Sequence, residues 1–299
     1  MDIFPTKILL ATDGSEDAAV AARAAADLSS MTDSELHVVH AWRSLPHYAY
    51  PSLVPESYHP PYEEGARKIL ARQVEQVREA GGAVAEAHLR TGSPTDAILD
   101  VVEEVKPGLL IAGSRGLGPI KHLLLGSVSE ALVYHAACPV LVVRGGERAW
   151  PPGRIVVGDD GSESARQAGQ LAGVMGALLG VRMLLVRAQP KPPKPPDLPD
   201  YEEGLHDRLV REDQQRMIKI LEGSAAELGA ALGTRPEVRL LTDCEATAAI
   251  LAASEDAVST LVAVGSRGLG PVGRARLGSV STKVLRAARG PVLICPASV

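Results

Sequence analysis

Two glycine-rich segments carry the residue types best suited to holding an anion. Gly-Ser-Arg-Gly-Leu-Gly-Pro begins at Gly113 and again at Gly265, and each copy leads to Gly-Ser-Val-Ser, at Gly126 and Gly278. In both, the glycines stand as G-x-x-G, nine residues, then G-S: Gly113, Gly116 and Gly126-Ser127 in one copy, Gly265, Gly268 and Gly278-Ser279 in the other. Glycine lets backbone N–H groups approach a ligand that a side chain would keep away. A helix starting at the Gly-Ser pair would add its unpaired N–H groups and the positive end of its dipole. The chemistry this pattern serves is phosphate binding, twice. Ser127-Val-Ser-Glu130 also has capping-box spacing and predicts Ser127 as the helix cap, whereas Ser279 to Thr282 lacks the glutamate and predicts a looser one. A serine cap alone is as readily structural as functional; the upstream glycines favour function.

Several nearby residues have two readings. Asp13 and Asp160 each precede Gly-Ser, which suits either ligand contact or a plain strand-to-helix turn. Arg115 and Arg267 lie inside the loops and either pair with phosphate oxygens or are solvated. Lys121, His122, Arg274 and Arg276 add basic charge without keeping position between copies. His40 has Arg187 as its counterpart, so a packing or hydrogen-bonding role is preferred over shared catalysis. Cys138, Cys244 and Cys295 lack CxxC spacing and read as reduced small hydrophobes.

The elements that must position these residues also repeat. Lys7 to Ser15 matches Arg154 to Ser162, an apolar run ending in a turn. Helix-patterned stretches follow, Ala18 to Leu28 and Ala165 to Leu179, the second weakened by Gly169, Gly173 and Gly176 unless these allow close packing. Second strands are predicted at Leu36 to Trp42 and Val181 to Arg187. Proline-rich stretches, Leu45 to Pro61 and Gln189 to Pro199, read as long loops, suited to partner contact or plain insertion. Charged helices then end near Gly81 and Gly233. Third strands (Ala83 to Leu89, Glu237 to Leu241), short helices (Asp96 to Glu104, Ala246 to Glu255) and fourth strands (Leu109 to Ala112, Leu261 to Val264) precede the glycine loops. A helix and a last strand complete each half, Val140 to Val143 and Val292 to Ile294.

Five strands alternating with helices predict an α/β fold of two tandem doubly wound parallel-sheet domains, residues 1–147 and 148–299, with helices on both faces. Ligands of such sheets sit beyond the carboxyl ends of the strands where the order reverses. For Asp13 and Gly113 to share a ligand, the first and fourth strands must be neighbours, which the order 3-2-1-4-5 provides. That order leaves the fifth strand at an edge, and its expected cover is the other half's fifth strand, antiparallel across a pseudo-twofold axis.

Composition sets the bounds. The chain has 299 residues, 45% of them hydrophobic with a single Phe, so its cores are aliphatic. A formal net charge of -5 argues against nucleic acid as a partner. The start of the chain lacks the basic and apolar regions of a signal peptide, and no apolar run reaches the roughly 20 residues of a membrane span, so a cytoplasmic protein is expected.

Over both halves the chain resembles the tandem universal stress proteins, in particular the subgroup that binds ATP. The glycine signature, complete twice, and the aspartate after the first strand carry the resemblance. It implies ATP as ligand, with or without Mg2+, in a cleft between first and fourth strands, and domains that pair through their fifth strands, with a further homodimer open. Ala11 with Asp13, Gly158 with Asp160, and the backbone near Ala41 or Ala188 would form the adenosine side. Gly113, Ser114, Arg115, Gly116, Gly118, Gly126, Ser127 and Val128 would hold the phosphates, as would Gly265, Ser266, Arg267, Gly268, Gly270, Gly278, Ser279 and Val280.

The implied activity is regulation by nucleotide occupancy with at most slow hydrolysis, since no general base beyond the two aspartates recurs in both halves. An adenylating enzyme would carry an S-G-G-x-D-S loop where this chain has Ala11-Thr-Asp-Gly-Ser15. A nucleotide-free scaffold would show a degraded glycine signature. Thr91-Gly-Ser-Pro94 is replaced by Asp243-Cys-Glu-Ala246 in the second half, and these acidic residues, with the missing capping glutamate, predict tighter binding of ATP by the first half.

Overall fold

The structure, a computed structural model, describes residues 4–43, 59–116, 125–144, 146, 149–190, 203–255, 259–268 and 277–297. The first repeat runs β1 (Lys7–Thr12), α1 (Glu16–Thr32), β2 (Glu35–Trp42), α2 (His59–Glu79), β3 (Val84–Thr91), α3 (Pro94–Val105), β4 (Leu109–Gly113), α4 (Ser127–His135) and β5 (Val140–Val143). The second runs β6 (Arg154–Gly158), α5 (Glu163–Leu179), β7 (Arg182–Gln189), α6 (Glu203–Leu232), β8 (Glu237–Thr242), α7 (Ala246–Ser254), β9 (Thr260–Gly265), α8 (Ser279–Ala287) and β10 (Val292–Cys295). Each repeat thus supplies five strands and four helices in the expected alternation. The fold is a pair of Rossmann-like α/β domains.

Contacts divide the chain into two units: Met1–Pro151 with Arg289–Pro296, and Pro152–Ala288 with Ala297–Val299. In the first unit the strand order is β3-β2-β1-β4-β5-β10, and in the second β9-β6-β7-β8. β1 lies parallel between β2 and β4, as β6 does between β7 and β9, so the reversal point that a shared ligand requires is present twice. β10 covers the edge of β5 in antiparallel register, with Val292 opposite Val142 and Ile294 opposite Val140.

The interior is aliphatic, as the lone phenylalanine foretold. Ile8, Leu9 and Leu10 of β1, Leu109 to Ile111 of β4 and Leu141 to Val143 of β5 are fully buried. Full burial on both faces is why these strands read as continuous apolar runs. The Ala-rich face of α1 packs against β1 and β4, and Ser15 caps the helix by accepting the Ala18 N–H. In α5 the glycines do serve close packing: a methyl group at Gly173 would collide with Leu232 of α6, and one at Gly169 would lie 3.3 Å from Leu228. Cys138 and Cys295 are buried, and desolvation pushes their thiols up to about 11 and about 12. They are reduced and inert at neutral pH.

Two loop boundaries are corrected. Gln189, read as the start of a loop, is the last residue of β7. His59, Pro60 and Pro61, read as loop, form the first turn of α2. Proline is tolerated there because the first N–H groups of a helix have no partner within it. Residues 44–58 and 191–202, the bulk of both proline-rich stretches, lie outside the described residues.

Candidate functional site

Each glycine loop leaves the end of the fourth strand of its repeat and returns to the start of the next helix. Gly113 closes β4 because a Cβ there would meet the Ala18 nitrogen at 2.8 Å, where α1 crosses. Chain direction then brings Gly116 beside the end of β1, where a Cβ would collide with Asp13 Oδ2; Gly268 and Asp160 stand in the same relation. Asp13 Oδ1 accepts the Ser15 N–H at 3.0 Å and Asp160 Oδ1 the Ser162 N–H at 2.9 Å. One oxygen of each aspartate therefore shapes the turn, and the other lies at the glycine loop.

The capping-box reading of Ser127 is overturned. The cap is Gly126, in extended conformation and without a side-chain hydrogen bond, and Ser127 is the first helical residue; Gly278 and Ser279 repeat this. Ser129 and Ser281, two residues on, turn inward. Their hydroxyls donate at 2.6 Å to the carbonyls of Gly113 and Gly265 and tie the helix start to the preceding strand. The first N–H with a partner in the helix is that of Glu130, to the Gly126 carbonyl, and the Gly126 N–H itself goes to the Ser114 carbonyl at 2.6 Å; among the described residues, Ser127 to Ser129 present the N–H groups that an ideal helix start leaves open. The dipole alone supplies only about 0.3–1 kcal/mol at an exposed end, so several converging N–H groups, rather than the helix charge, must carry an anion's affinity.

A cavity of about 460 Å3 opens at this point in the first unit and one of about 920 Å3 in the second. Both fall in the range of roughly 300–1,000 Å3 typical of small-molecule sites. Ala11, Asp13, Ala41, Gly113, Arg115, Gly116, Gly126, Ser127 and Val128 line the first. Gly158, Asp160, Ala188, Gly265, Arg267, Gly268, Gly278, Ser279 and Val280 line the second. In each cleft apolar side chains stand across from the backbone of the glycine loop and the helix start. Ser114 and Ser266 do not line the clefts. They are buried, Ser114 Oγ donating to Asp17 at 2.7 Å and Ser266 Oγ accepting the Ala297 N–H at 3.0 Å. Gly118, Gly270, Lys121, His122, Arg274 and Arg276 lie outside the described residues.

The apolar wall was missed in the sequence. Pro94 and Ile98 of α3 supply it in the first cleft, Ala246 and Ile250 of α7, with Met217 and Ile220 of α6, in the second. The signal was the apolar face of α3, which shows Ala97, Ile98, Val101 and Val102 buried at helical spacing.

Asp17 was missed too, and it decides the state of Arg115. Its Oδ2, nearly inaccessible, accepts from Ser114 Oγ, from the Arg115 N–H at 3.1 Å and from Arg115 Nε at 3.2 Å. The hydrogen bond and charge of Asp17 raise the Arg115 pKa further above its ordinary value. Buried Arg144 at the end of β5 is pulled down to about 10 by desolvation, with Asp17 opposing. The second repeat has Ser164 in place of Asp17, and Ser164 Oγ donates to the Arg267 carbonyl, so the position that holds the Arg115 guanidinium offers no carboxylate here. His40 Nδ1 donates to the Thr12 carbonyl at 2.8 Å, while Arg187 binds Asp159 through Nη2 at 2.9 Å and Nε to its carbonyl at 3.1 Å. Both are hydrogen-bonding roles, as expected. Asp243 and Glu245 are exposed and line neither cleft, although Glu245 adjoins Ala246 of the second lining.

Comparison with known proteins agrees with this architecture. The model of the universal stress protein family matches residues 5–144 and again 152–296. A universal stress protein of Mycobacterium tuberculosis is 30% identical over 304 residues, covering 96% of each chain. One from Thermus aquaticus is 38% identical over 142 residues, 46% of this chain and 97% of its own. Among solved structures, a universal stress protein from Archaeoglobus fulgidus superimposes with a TM-score of 0.69 at 24% identity, covering 98% of this chain and 99% of that one.

Proposed function

The chain belongs to the universal stress protein family, as a tandem member, and from that premise we propose that it is an ATP-binding stress-response regulator with one nucleotide cleft per repeat. The observation that carries the reading is the meeting of three features at each cavity: the glycine loop, the unpaired start of a helix, and an aspartate from the neighbouring strand. Phosphates would lie on the backbone of Gly116, Ser127 and Val128, and of Gly268, Ser279 and Val280; Gly126 and Gly278 line the clefts but give their own N–H groups to the carbonyls of Ser114 and Ser266 at 2.6 Å. Asp13 or Asp160 with the chain at Ala41 or Ala188 would take the ribose and adenine side. Mg2+, where it accompanies ATP, would neutralise phosphate charge that these backbone donors leave uncompensated.

Slow hydrolysis at most is the consistent expectation. Asp13 and Asp160 are the only carboxylates common to the described linings of both clefts, and each has an oxygen engaged in its turn. Efficient general-base catalysis needs a group within hydrogen-bond reach of the attacking water and a pKa near the working pH. The family role and the cytoplasmic setting belong to this same proposal.

The test is to purify the untagged chain, identify any nucleotide released on denaturation, and titrate the emptied protein with ATP by calorimetry. Two equivalents of ATP per chain are expected. Protein that is isolated empty and ignores added ATP would overturn the reading, and rapid formation of AMP or ADP would overturn its non-catalytic part.

A further inference from the structure

The geometry points to a second kind of site, away from both clefts: His37, Glu86 and His88, on one face of β2 and β3, form a site for a divalent transition-metal ion of the zinc class. Register creates it. β2 and β3 run parallel with Leu36 opposite Val84, but a bulge follows and places His37 opposite Glu86 and Val39 opposite His88. Without that extra residue His37 would face Ala85, and His88 would fall on the other side of the sheet, because side chains alternate along a strand. The bulge is therefore what puts two imidazoles and a carboxylate together.

Their spacing suits an ion. His37 Nδ1 and His88 Nε2 are 3.1 Å apart, and a carboxylate oxygen of Glu86 is 3.9 Å from His37 Nδ1. Two imidazole nitrogens at zinc–nitrogen distances of about 2.0–2.1 Å, at a tetrahedral angle, stand about 3.3 Å apart. The Glu86 side chain is exposed and can close the remaining gap by rotation. Among the described residues this is the group of His, Cys, Asp or Glu side chains whose ligand atoms all lie within 4.8 Å of one another. Two nitrogens and one oxygen suit zinc and its neighbours rather than magnesium or calcium, which take oxygen ligands, and leave one tetrahedral position for water.

A hydrogen bond between neutral imidazoles accounts for the short contact but not for the rest. His37 and His88 are 7% and 6% exposed, and His37 Nε2 is buried without a hydrogen-bond partner. Such a group is costly and calls for an explanation. With an ion between Nδ1 of His37 and Nε2 of His88, each ring carries its proton on the other nitrogen. His37 Nε2 then carries its proton toward the Glu35 carboxylate, 3.8 Å away and outside the ligand set. A carboxylate beyond the ring is the usual means of fixing that tautomer and the ring orientation.

The second repeat supplies an internal control. Leu184 stands opposite Glu237 there, with Arg239 two residues further along β8, in place of the two histidines. Glu237 pairs instead with Arg154 at 3.2 Å and Arg182 at 3.9 Å. The fold does not need imidazoles at these positions, and one ion per chain is the prediction.

The untagged full chain, stripped with a chelator and free of nucleotide, is titrated with zinc against a chromophoric competitor, and with cobalt for its visible spectrum. One equivalent is expected, with a cobalt spectrum of nitrogen and oxygen ligands and no thiolate charge-transfer band. His37→Leu, which copies the second repeat, should lower affinity tenfold or more. Glu86→Gln alters an exposed side chain, cannot be excused by misfolding, and should do the same. No uptake by the wild-type chain, thiolate ligation, or full uptake by both variants would overturn the proposal.

Discussion

The two clefts share a loop and differ in what surrounds it. In the first, Arg115 is clamped to Asp17, and the cavity is about 460 Å3. In the second, Ser164 stands where Asp17 does, the long α6 contributes Met217 and Ile220, and the cavity is about 920 Å3. A duplicated backbone motif is therefore compatible with unequal sites, because the motif supplies N–H groups while neighbouring side chains set net charge and volume. If the clefts bind ATP as proposed, the Arg267 guanidinium, with Ser164 rather than a carboxylate at its loop, and the larger volume predict tighter binding in the second, whereas the acidic loop at Asp243 predicts the opposite.

The largest effect expected from breaking this comparison lies at Asp17. Asp17→Ala strands Ser114 Oγ, the Arg115 N–H and Arg115 Nε at once and removes the charge that opposes desolvation of Arg144. Removing one partner of a buried charged network costs about 3–5 kcal/mol. Half-exposed Arg115 recovers some solvation, so about 2–3 kcal/mol is expected here. Ser164→Ala should cost only about 1 kcal/mol. Trp42 and Trp150 both belong to the first unit, so tryptophan fluorescence in urea reads the first loss, and amide exchange along β6 and β9 reads the second. Equal losses in the two repeats would show that Asp17 does not organise the first loop.

Gly116→Ala and Gly268→Ala come next. Each methyl group would displace the aspartate carboxylate beside it, and overpacking of this kind costs about 1–3 kcal/mol. If that cost falls on the ligand-competent conformation, ATP binds about tenfold more weakly or worse at the altered cleft, with the other cleft unchanged. Calorimetry should resolve two sites in each variant. Simultaneous loss at both would mean that the clefts are coupled.

What could be read from the sequence was whatever repeats in type and period. Strand order followed from requiring Asp13 and Gly113 to serve one ligand, and the apolar runs located every strand to within about two residues. What escaped depends on single residues in three dimensions. Ser127 has the spacing of a cap, yet the helix starts one residue earlier, with Gly126 as cap and Ser129 tied to the Gly113 carbonyl. Asp17 sits in the first turn of an alanine-rich helix, where an acid normally serves the dipole, and only the fold brings it to Ser114. His37 and His88 meet through a bulge that no periodicity announces. Prolines at 60 and 61 resemble a loop until the helix is seen to start at His59.

The smallest expected effect is the most specific to the comparison. Ser164→Asp places in the second repeat the carboxylate that the first one has, within reach of the Arg267 backbone that Ser164 already contacts. The new aspartate should capture Arg267 as Asp17 captures Arg115. A positive charge withdrawn from a solvent-facing phosphate is worth about 0.5–1 kcal/mol, so ATP affinity at the second cleft should fall two- to fivefold. AMP, which presents less charge to the loop, should change less than ATP. The effect should also shrink as salt rises, because screening weakens exposed charge pairs first. Equal losses for ATP and AMP, insensitive to salt, would assign the difference between clefts to volume rather than to the arginine.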